Sequence, residues 1–150
     1  MVLLGNTGAG KSTLINYFLG LEMETLTRDQ HKIQGVTNDI VRVKQGQDEI
    51  MKIGHMDTSM TILSNGYYDE TTELTLYDCA GYHDTRGFEI NISNNVNLRS
   101  IIQNAFSMRA LLVVSWQTLN VDRGTGFTEM MKTSYQIFGG PDNLVERKKC

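Results

Sequence analysis

The strongest chemical signal in the sequence is a glycine-rich run near its start. Residues 5–12 read Gly-Asn-Thr-Gly-Ala-Gly-Lys-Ser and match the phosphate-binding loop (P-loop, or Walker A) pattern G-x-x-x-x-G-K-[ST] in full. Glycines allow backbone angles that are closed to other residues, so successive N–H groups can turn inward around phosphate oxygens. We expect Lys11 to reach the β- and γ-phosphates and the Ser12 hydroxyl to ligate Mg²⁺. The run predicts a nucleoside triphosphate site, with a cradle formed by Asn6, Thr7, Gly8, Ala9, Gly10, Lys11, Ser12 and Thr13.

A second signal is an aspartate that ends the apolar run 74–77 and is followed three positions later by a glycine. The residues are Asp78-Cys79-Ala80-Gly81, and another Asp-x-x-Gly at 84–87 follows no comparable run. In a P-loop protein an aspartate in this position lies beside the loop and holds Mg²⁺. A glycine there lets its N–H approach the γ-phosphate without a side chain in the way. A turn that merely ends the strand remains the alternative.

Both motifs need a sheet that brings loop ends together at one edge. An apolar strand over 1–4 leads into the glycine-rich loop, and apolar residues at helical spacing predict a helix over 11–19. The order of the predicted elements favours an α/β fold, here the three-layer P-loop NTPase fold with a mostly parallel sheet and one antiparallel edge strand. The other predicted elements are a hairpin (40–44 with 49–53), strands 61–68, 73–77 and 110–115, the last buried on both faces, and helices 97–108 and 127–138.

Composition narrows the partners. The 150 residues carry 14 Lys and Arg against 17 Asp and Glu, a net charge of −3, without the clustered basic surface of a nucleic-acid-binding domain. The two cysteines lie far apart and in no metal-binding spacing, which favours reduced thiols. The longest apolar stretch, 110–114, is far shorter than the roughly 20 residues of a membrane span. We therefore expect a cytoplasmic domain without a membrane span.

The pairing of residues 5–12 with 78–81 resembles the small-GTPase class of TRAFAC P-loop GTPases. The longer string Tyr-Asp-Cys-Ala-Gly-Tyr-His-Asp-Thr-Arg-Gly at 77–87 is similar to the septin-like and immunity-associated (avrRpt2-induced) branch, as is Asn-Tyr-Phe-Leu-Gly at 16–20. The resemblance covers residues 1–115. It implies a G domain that binds GTP with Mg²⁺ and hydrolyses it slowly. It also implies a nucleotide-controlled switch or an oligomerising GTPase, whose partner is a second copy across the nucleotide face or an activating protein.

Members of this family also use a threonine that senses the γ-phosphate and ligates Mg²⁺. Ser59-Met60-Thr61 resembles the Ser-Val-Thr of the immunity-associated branch and lies 17 positions before Asp78. We expect Thr61 to fill this role, with Thr58 second and Thr37 a poorer candidate. A threonine that simply favours a strand is the alternative. The resemblance thus implies a metal set of Ser12, Thr61 and Asp78, and a catalytic set of Lys11, Thr61, Gly81 and His83.

Three features depart from the family pattern or extend it. Tyr82 stands where Ras-like enzymes have a water-orienting glutamine, so intrinsic hydrolysis should be slow unless His83 or a partner's arginine supplies the missing group. The favoured interpretation of His83 itself is an exposed loop histidine without a role. The guanine-reading box Asn/Thr-Lys-x-Asp does not occur, and we expect it beyond Cys150. The chain is then the N-terminal part of a single G domain, truncated before the guanine-reading strand, with the P-loop, the switch regions, the first four core strands and an insertion around 33–54.

Residues 82–97 contain few apolar side chains. They predict a loop of low stability that becomes ordered when the γ-phosphate is bound.

Two alternatives remain open at this point. A P-loop ATPase would share the loop, but ATPases of the transporter type place Glu directly after the aspartate, where this chain has Cys79. A nucleotide-binding interaction module that does not turn over is compatible with Tyr82.

Overall fold

A central sheet with helices on both faces organises the chain. The computed structural model describes residues 1–55, 61, 64–82, 87–120 and 124–138. Six strands and five helices lie in this part of the chain, in the order β1 (Val2–Leu4), α1 (Lys11–Phe18), β2 (Met23–Leu26), α2 (Arg28–His31), β3 (Ile40–Val43), β4 (Asn65–Asp69), β5 (Leu74–Asp78), α3 (Phe88–Asn104), β6 (Ala110–Leu112), α4 (Trp116–Asn120) and α5 (Thr125–Phe138).

The central sheet has the strand order β4-β5-β1-β6. Strand β1 pairs in parallel with β5 on one side and with β6 on the other, while β4 runs antiparallel to β5 at the edge. The expected mostly parallel sheet with one antiparallel edge strand is therefore confirmed. Because β1 and β5 are parallel neighbours, their carboxyl ends meet at the same edge, where ligands bind in open α/β sheets.

The core lies on both faces of β1, whose three residues are almost fully buried. Alternate side chains of a strand point to opposite faces. Val2 and Leu4 accordingly pack with residues of α3 and α5, whereas Leu3 packs with Ile15 of α1. These two clusters make the sheet the middle layer of three.

The expected hairpin between 40–44 and 49–53 is wrong. Strand β3 pairs instead with β2, antiparallel, from Met23 opposite Val43 to Leu26 opposite Ile40, and the two form a separate small sheet. No strand covers 49–53, all of which the structure describes. The amide side chain of Asn16 instead forms hydrogen bonds with the backbone of residues 50 and 51. This segment is therefore held against α1 and does not pair with β3.

Two further expectations need correction. Helix α3 begins at Phe88 and ends at Asn104, so residues 88–97, predicted as a loop, are helical. On the inward side of the first half of α3, asparagines occupy positions where a helix usually has apolar residues. The helical spacing of apolar residues is therefore not visible in the sequence there. Strand β6 covers only Ala110–Leu112, and none of its residues is buried, so the expected burial on both faces is wrong. Helix α5, by contrast, agrees with the predicted helix over 127–138.

Candidate functional site

The loop between β1 and α1 forms the base of the site. Gly10 is the N-cap of α1 and has φ 91°, in the left-handed region that favours glycine. The N–H groups of the first helical turn have no acceptor inside the helix and attract anions. The sequence Gly-Lys-Ser thus places the start of a helix at this loop.

Lys11, the first residue of α1, is held across this loop. Its ammonium group donates to the carbonyl oxygens of Gly5 at 3.1 Å and Asn6 at 3.0 Å. The residue is buried to a relative exposure of 7%. These bonds fix a positive charge within the loop, where a phosphate group would lie.

Asp78, at the carboxyl end of β5, joins two hydroxyl-bearing residues. Its Oδ2 accepts a hydrogen bond from Ser12 Oγ at 2.7 Å and another from Thr61 Oγ1 at 3.2 Å. Its Oδ1 is buried and has no hydrogen-bond partner among the residues that the structure describes. Three segments distant in sequence therefore bring three oxygen-bearing side chains together, and one carboxylate oxygen is left without a partner among the described residues.

The electrostatics of Asp78 follow from its burial. Burial raises the pKa of this carboxyl above its ordinary value, against the opposing effects of the Ser12 hydrogen bond, the Lys11 charge and the Thr61 hydrogen bond. A buried carboxylate that is held in this way gains from a nearby cation. Hard oxygen ligands of this kind suit Mg²⁺, which binds one or two carboxylates together with substrate phosphates.

Gly81 lies in close contact with the P-loop. A Cβ at this position would lie 2.5 Å from Thr7 Oγ1 and 2.6 Å from Thr7 Cα, distances that a side chain cannot adopt. The next residue, Tyr82, continues this contact, because its N–H donates to the Gly5 carbonyl at 3.0 Å. Only glycine allows the segment after β5 to approach the P-loop this closely.

The side chain of Tyr82 points away from the loop. Its hydroxyl lies 3.2 Å from Ser134 Oγ on α5, and both residues are buried. Burial raises the pKa of the Tyr82 hydroxyl, while the Ser134 hydrogen bond lowers it. Tyr82 is therefore part of the core between the sheet and α5.

An open cavity of about 740 Å³ lies over these groups. Small-molecule sites in proteins commonly have volumes of roughly 300–1,000 Å³. Its walls include the P-loop, Thr61 and Gly81, and also residues from the β3 region and from 53–55. Among the latter is His55, whose pKa is lowered by burial, with Glu49 acting in the opposite direction.

Comparison with known proteins gives the family. The model of the 50S ribosome-binding GTPase family matches residues 1–137 of the 150. The chain belongs to this family of GTPases. It is a P-loop GTPase domain, and GTP binding and hydrolysis are the general properties of such domains. No curated protein and no solved structure gives a significant match to the chain.

The structure of the GTPase gathers most of the residues expected from the sequence around one cavity. P-loop residues 7–13 line this cavity together with Thr61 and Gly81. Asp78 is not a lining residue, but it accepts hydrogen bonds from Ser12 and Thr61. Thr37 is exposed and is not among the lining residues. Thr58 and His83 lie outside the described residues.

Among the described residues of the GTPase, no group of three or more acidic, histidine or cysteine side chains is close enough to hold a metal ion. A metal at Ser12, Thr61 and Asp78 would depend on two hydroxyls, one carboxylate and the phosphates of the nucleotide. No described helix is long and apolar enough to cross a membrane.

Two residues at or beside this cavity are not predicted from the sequence. Asn16 is fully buried and connects α1 to the segment that leads to the cavity, and His55 lines the cavity itself. Asn16 appears in the string that resembles the immunity-associated branch, but the residue type alone predicts an exposed polar position. Nothing in the sequence around His55 indicates its position.

Proposed function

We propose that the chain is the catalytic part of a GTP-controlled switch or an oligomerising GTPase, with Mg²⁺-dependent hydrolysis of GTP. The observation that carries the proposal is the arrangement at Asp78. One carboxylate oxygen accepts hydrogen bonds from Ser12 and Thr61, and the other is buried without a partner among the described residues. A divalent cation would satisfy that buried oxygen and would bring the triphosphate to the P-loop.

Each residue has a role that follows from its chemistry. Lys11 neutralises the β- and γ-phosphates, and the N–H groups at the start of α1 bind their oxygens. Ser12, Thr61 and Asp78 would hold Mg²⁺. The ion, when bound, would neutralise charge that develops on the phosphate oxygens during hydrolysis. Gly81 presents its N–H to the γ-phosphate.

The switch follows from the placement of two of these residues on separate segments. Thr61 precedes β4 and Gly81 follows β5, and each would contact only the γ-phosphate end of the nucleotide. Loss of that phosphate would release both segments, as it does in other GTPase switches. This reading agrees with the resemblance to the septin-like and immunity-associated branch.

A partner is part of the proposal, because Tyr82 is directed into the core. A second copy across the nucleotide face or an activating protein would then supply an arginine for hydrolysis, with His83 as an alternative from this chain. We place this activity in the cytoplasm. Residues 1–150 would be the N-terminal part of a single G domain, with an insertion around 33–54.

The same orientation of Tyr82 favours a second candidate function. Without a water-orienting side chain at this position, the chain would bind GTP and change shape without turnover. Single-turnover hydrolysis of bound GTP separates the two functions, because an interaction module would retain GTP unchanged.

Binding titrations with GTP and GDP, in Mg²⁺ and in EDTA, test the proposal. We expect binding of GTP that depends on Mg²⁺. Ser12→Asn should lose about tenfold or more in GTP affinity while retaining GDP, because a metal ligand is lost but the N–H groups remain. The control is Ser107→Asn, at an exposed position outside the cavity lining. Equal affinity for GTP in Mg²⁺ and in EDTA, or equal loss of GTP and GDP in Ser12→Asn, would contradict the proposal.

A further inference from the structure

Hydrolysis of GTP requires a group that orients the attacking water, and the side chain of Tyr82 is not placed to do so. Tyr82 occupies the position of the glutamine of Ras-like enzymes, but its hydroxyl pairs with Ser134 in the core. Tyr82 is also not among the residues that line the cavity. Its backbone N–H is bound to the Gly5 carbonyl, which holds the residue in this orientation. Another side chain must therefore contact the water.

Thr7 has an unsatisfied hydroxyl at the site. The residue lines the cavity, and its Oγ1 is buried without a hydrogen-bond partner among the described residues. A buried hydroxyl without a partner costs free energy, so its presence points to a partner that arrives with a ligand. Two other lining hydroxyls, those of Ser12 and Thr61, already donate to Asp78.

The position of Thr7 specifies which part of the ligand it would contact. Its Oγ1 lies 2.5 Å from the point that a Cβ of Gly81 would occupy. The hydroxyl thus lies where the P-loop meets Gly81, and the proposed function puts the γ-phosphate at Gly81. Along the P-loop, Thr7 precedes Lys11 and Ser12, whose contacts lie toward Gly5, Asn6 and Asp78.

We infer that Thr7 is a catalytic residue whose hydroxyl binds the γ-phosphate and the attacking water. The inference rests on the proposed function. In the reaction, the water oxygen forms a bond to the γ-phosphorus, and the bond from that phosphorus to the β–γ bridging oxygen breaks. One proton of the water passes to a γ-phosphate oxygen, and GDP and inorganic phosphate are released. A threonine hydroxyl can donate to a phosphate oxygen and accept from the water at the same time.

The test compares two substitutions at this position. Thr7→Val keeps the shape and removes the hydroxyl, whereas Thr7→Ser keeps the hydroxyl. We expect Thr7→Val to slow single-turnover hydrolysis of bound GTP by about 100-fold, and Thr7→Ser to remain within about threefold of the wild type. Thr128→Val, at an exposed position on α5, is the matched control.

A second readout does not depend on turnover. GDP with aluminium fluoride imitates the transition state, and its affinity should fall in Thr7→Val by about the same factor as the rate. GDP alone should bind as in the wild type, since the diphosphate lacks the group that Thr7 contacts.

The outcomes separate this inference from the proposed function. If the wild type hydrolyses GTP and Thr7→Val does so at the same rate, the catalytic role of Thr7 is wrong and the proposed function stands. If the wild-type chain binds no GTP, both fail together. Loss of hydrolysis in Thr7→Val and Thr7→Ser alike would also overturn the inference, since the hydroxyl would then not be the group that matters.

Discussion

The carboxylate of Asp78 is the residue on which the site depends. It is buried at the end of β5, and Ser12 and Thr61 both donate to one of its oxygens. Burial raises the pKa of Asp78. Without a cation, the charged carboxylate is therefore less stable in the folded chain than in water. At this residue the requirements of the site and the stability of the fold oppose each other.

This opposition predicts the behaviour of Asp78→Asn. The folded pKa lies above the unfolded value, so the contribution of Asp78 to stability is present at low pH and is lost as the pH rises through the folded pKa. In the absence of nucleotide, Asp78→Asn should therefore unfold in urea at pH 7 with a free energy equal to that of the wild type or higher. The difference between variant and wild type should shrink as the pH falls. GTP affinity in Mg²⁺ should fall by about tenfold or more.

The control for this experiment is Asp69→Asn. The pKa of Asp69, which is partly exposed, is lowered mainly by its hydrogen bond with Thr72, so its carboxylate favours the folded state above its ordinary pKa. Asp69→Asn should thus change stability in the opposite direction and leave GTP affinity unaltered. A large loss of stability in Asp78→Asn would show that its charge does not oppose folding.

At the scale of elements, the contact between α1 and residues 50–51 organises one wall of the cavity. The Asn16 amide group donates to the carbonyls of Ser12 at 3.0 Å and Met51 at 2.6 Å. Its oxygen accepts from the N–H groups of Ile50 and Met51, both at 3.0 Å. One fully buried side chain thereby fixes the segment that continues to the cavity-lining residues 53–55.

We expect Asn16→Ala to affect stability and nucleotide preference together. Loss of the amide leaves buried N–H and carbonyl groups without partners, which costs about 2–4 kcal/mol of unfolding free energy. Because residues 50–55 precede Thr61 in the chain, affinity for GTP should fall more than affinity for GDP. Calorimetric titration with both nucleotides measures this ratio, and Asn104→Ala, an exposed asparagine on α3, is the control. An unchanged ratio would mean that Asn16 serves the fold alone.

The elements also explain which features the sequence could predict. Strand β1, the P-loop and α1 are contiguous, and local spacing defines them, as it defines Asp78 after β5. The β2–β3 pairing joins residues 14 or more positions apart, and nothing local identifies the partner. The first half of α3 has Asn94 and Asn97 on its inward side, so the apolar period is lost there. Asn16 and Tyr82 act through buried contacts that residue type does not reveal.

At the scale of the whole molecule, we expect the first half of α3 to respond to the nucleotide and strand β6 to remain fixed. The segment after Gly81 continues into α3, where both amide atoms of Asn94 and the Asn97 oxygen are buried without partners among the described residues. Such unsatisfied groups indicate a helix whose first half has low local stability. Strand β6, in contrast, is hydrogen-bonded along β1.

Amide hydrogen exchange should distinguish these regions. Exchange over residues 87–97 should be slower with a non-hydrolysable GTP analogue than with GDP, because the γ-phosphate fixes Gly81 and the segment that follows it. Residues 110–112 should change little and serve as the internal control. A uniform response of both regions would indicate general stabilisation by the ligand rather than a switch.

Single-turnover hydrolysis of GTP by the 150-residue chain tests the central claim most directly. The reaction is measured with Mg²⁺, with EDTA in its place, and with Lys11→Ala beside the exposed control Lys132→Ala. We expect the wild type and Lys132→Ala to convert bound GTP to GDP only when Mg²⁺ is present, and Lys11→Ala to bind no GTP, because it lacks the charge that Gly5 and Asn6 hold within the loop. Hydrolysis in EDTA, or wild-type binding and turnover by Lys11→Ala, would contradict the account.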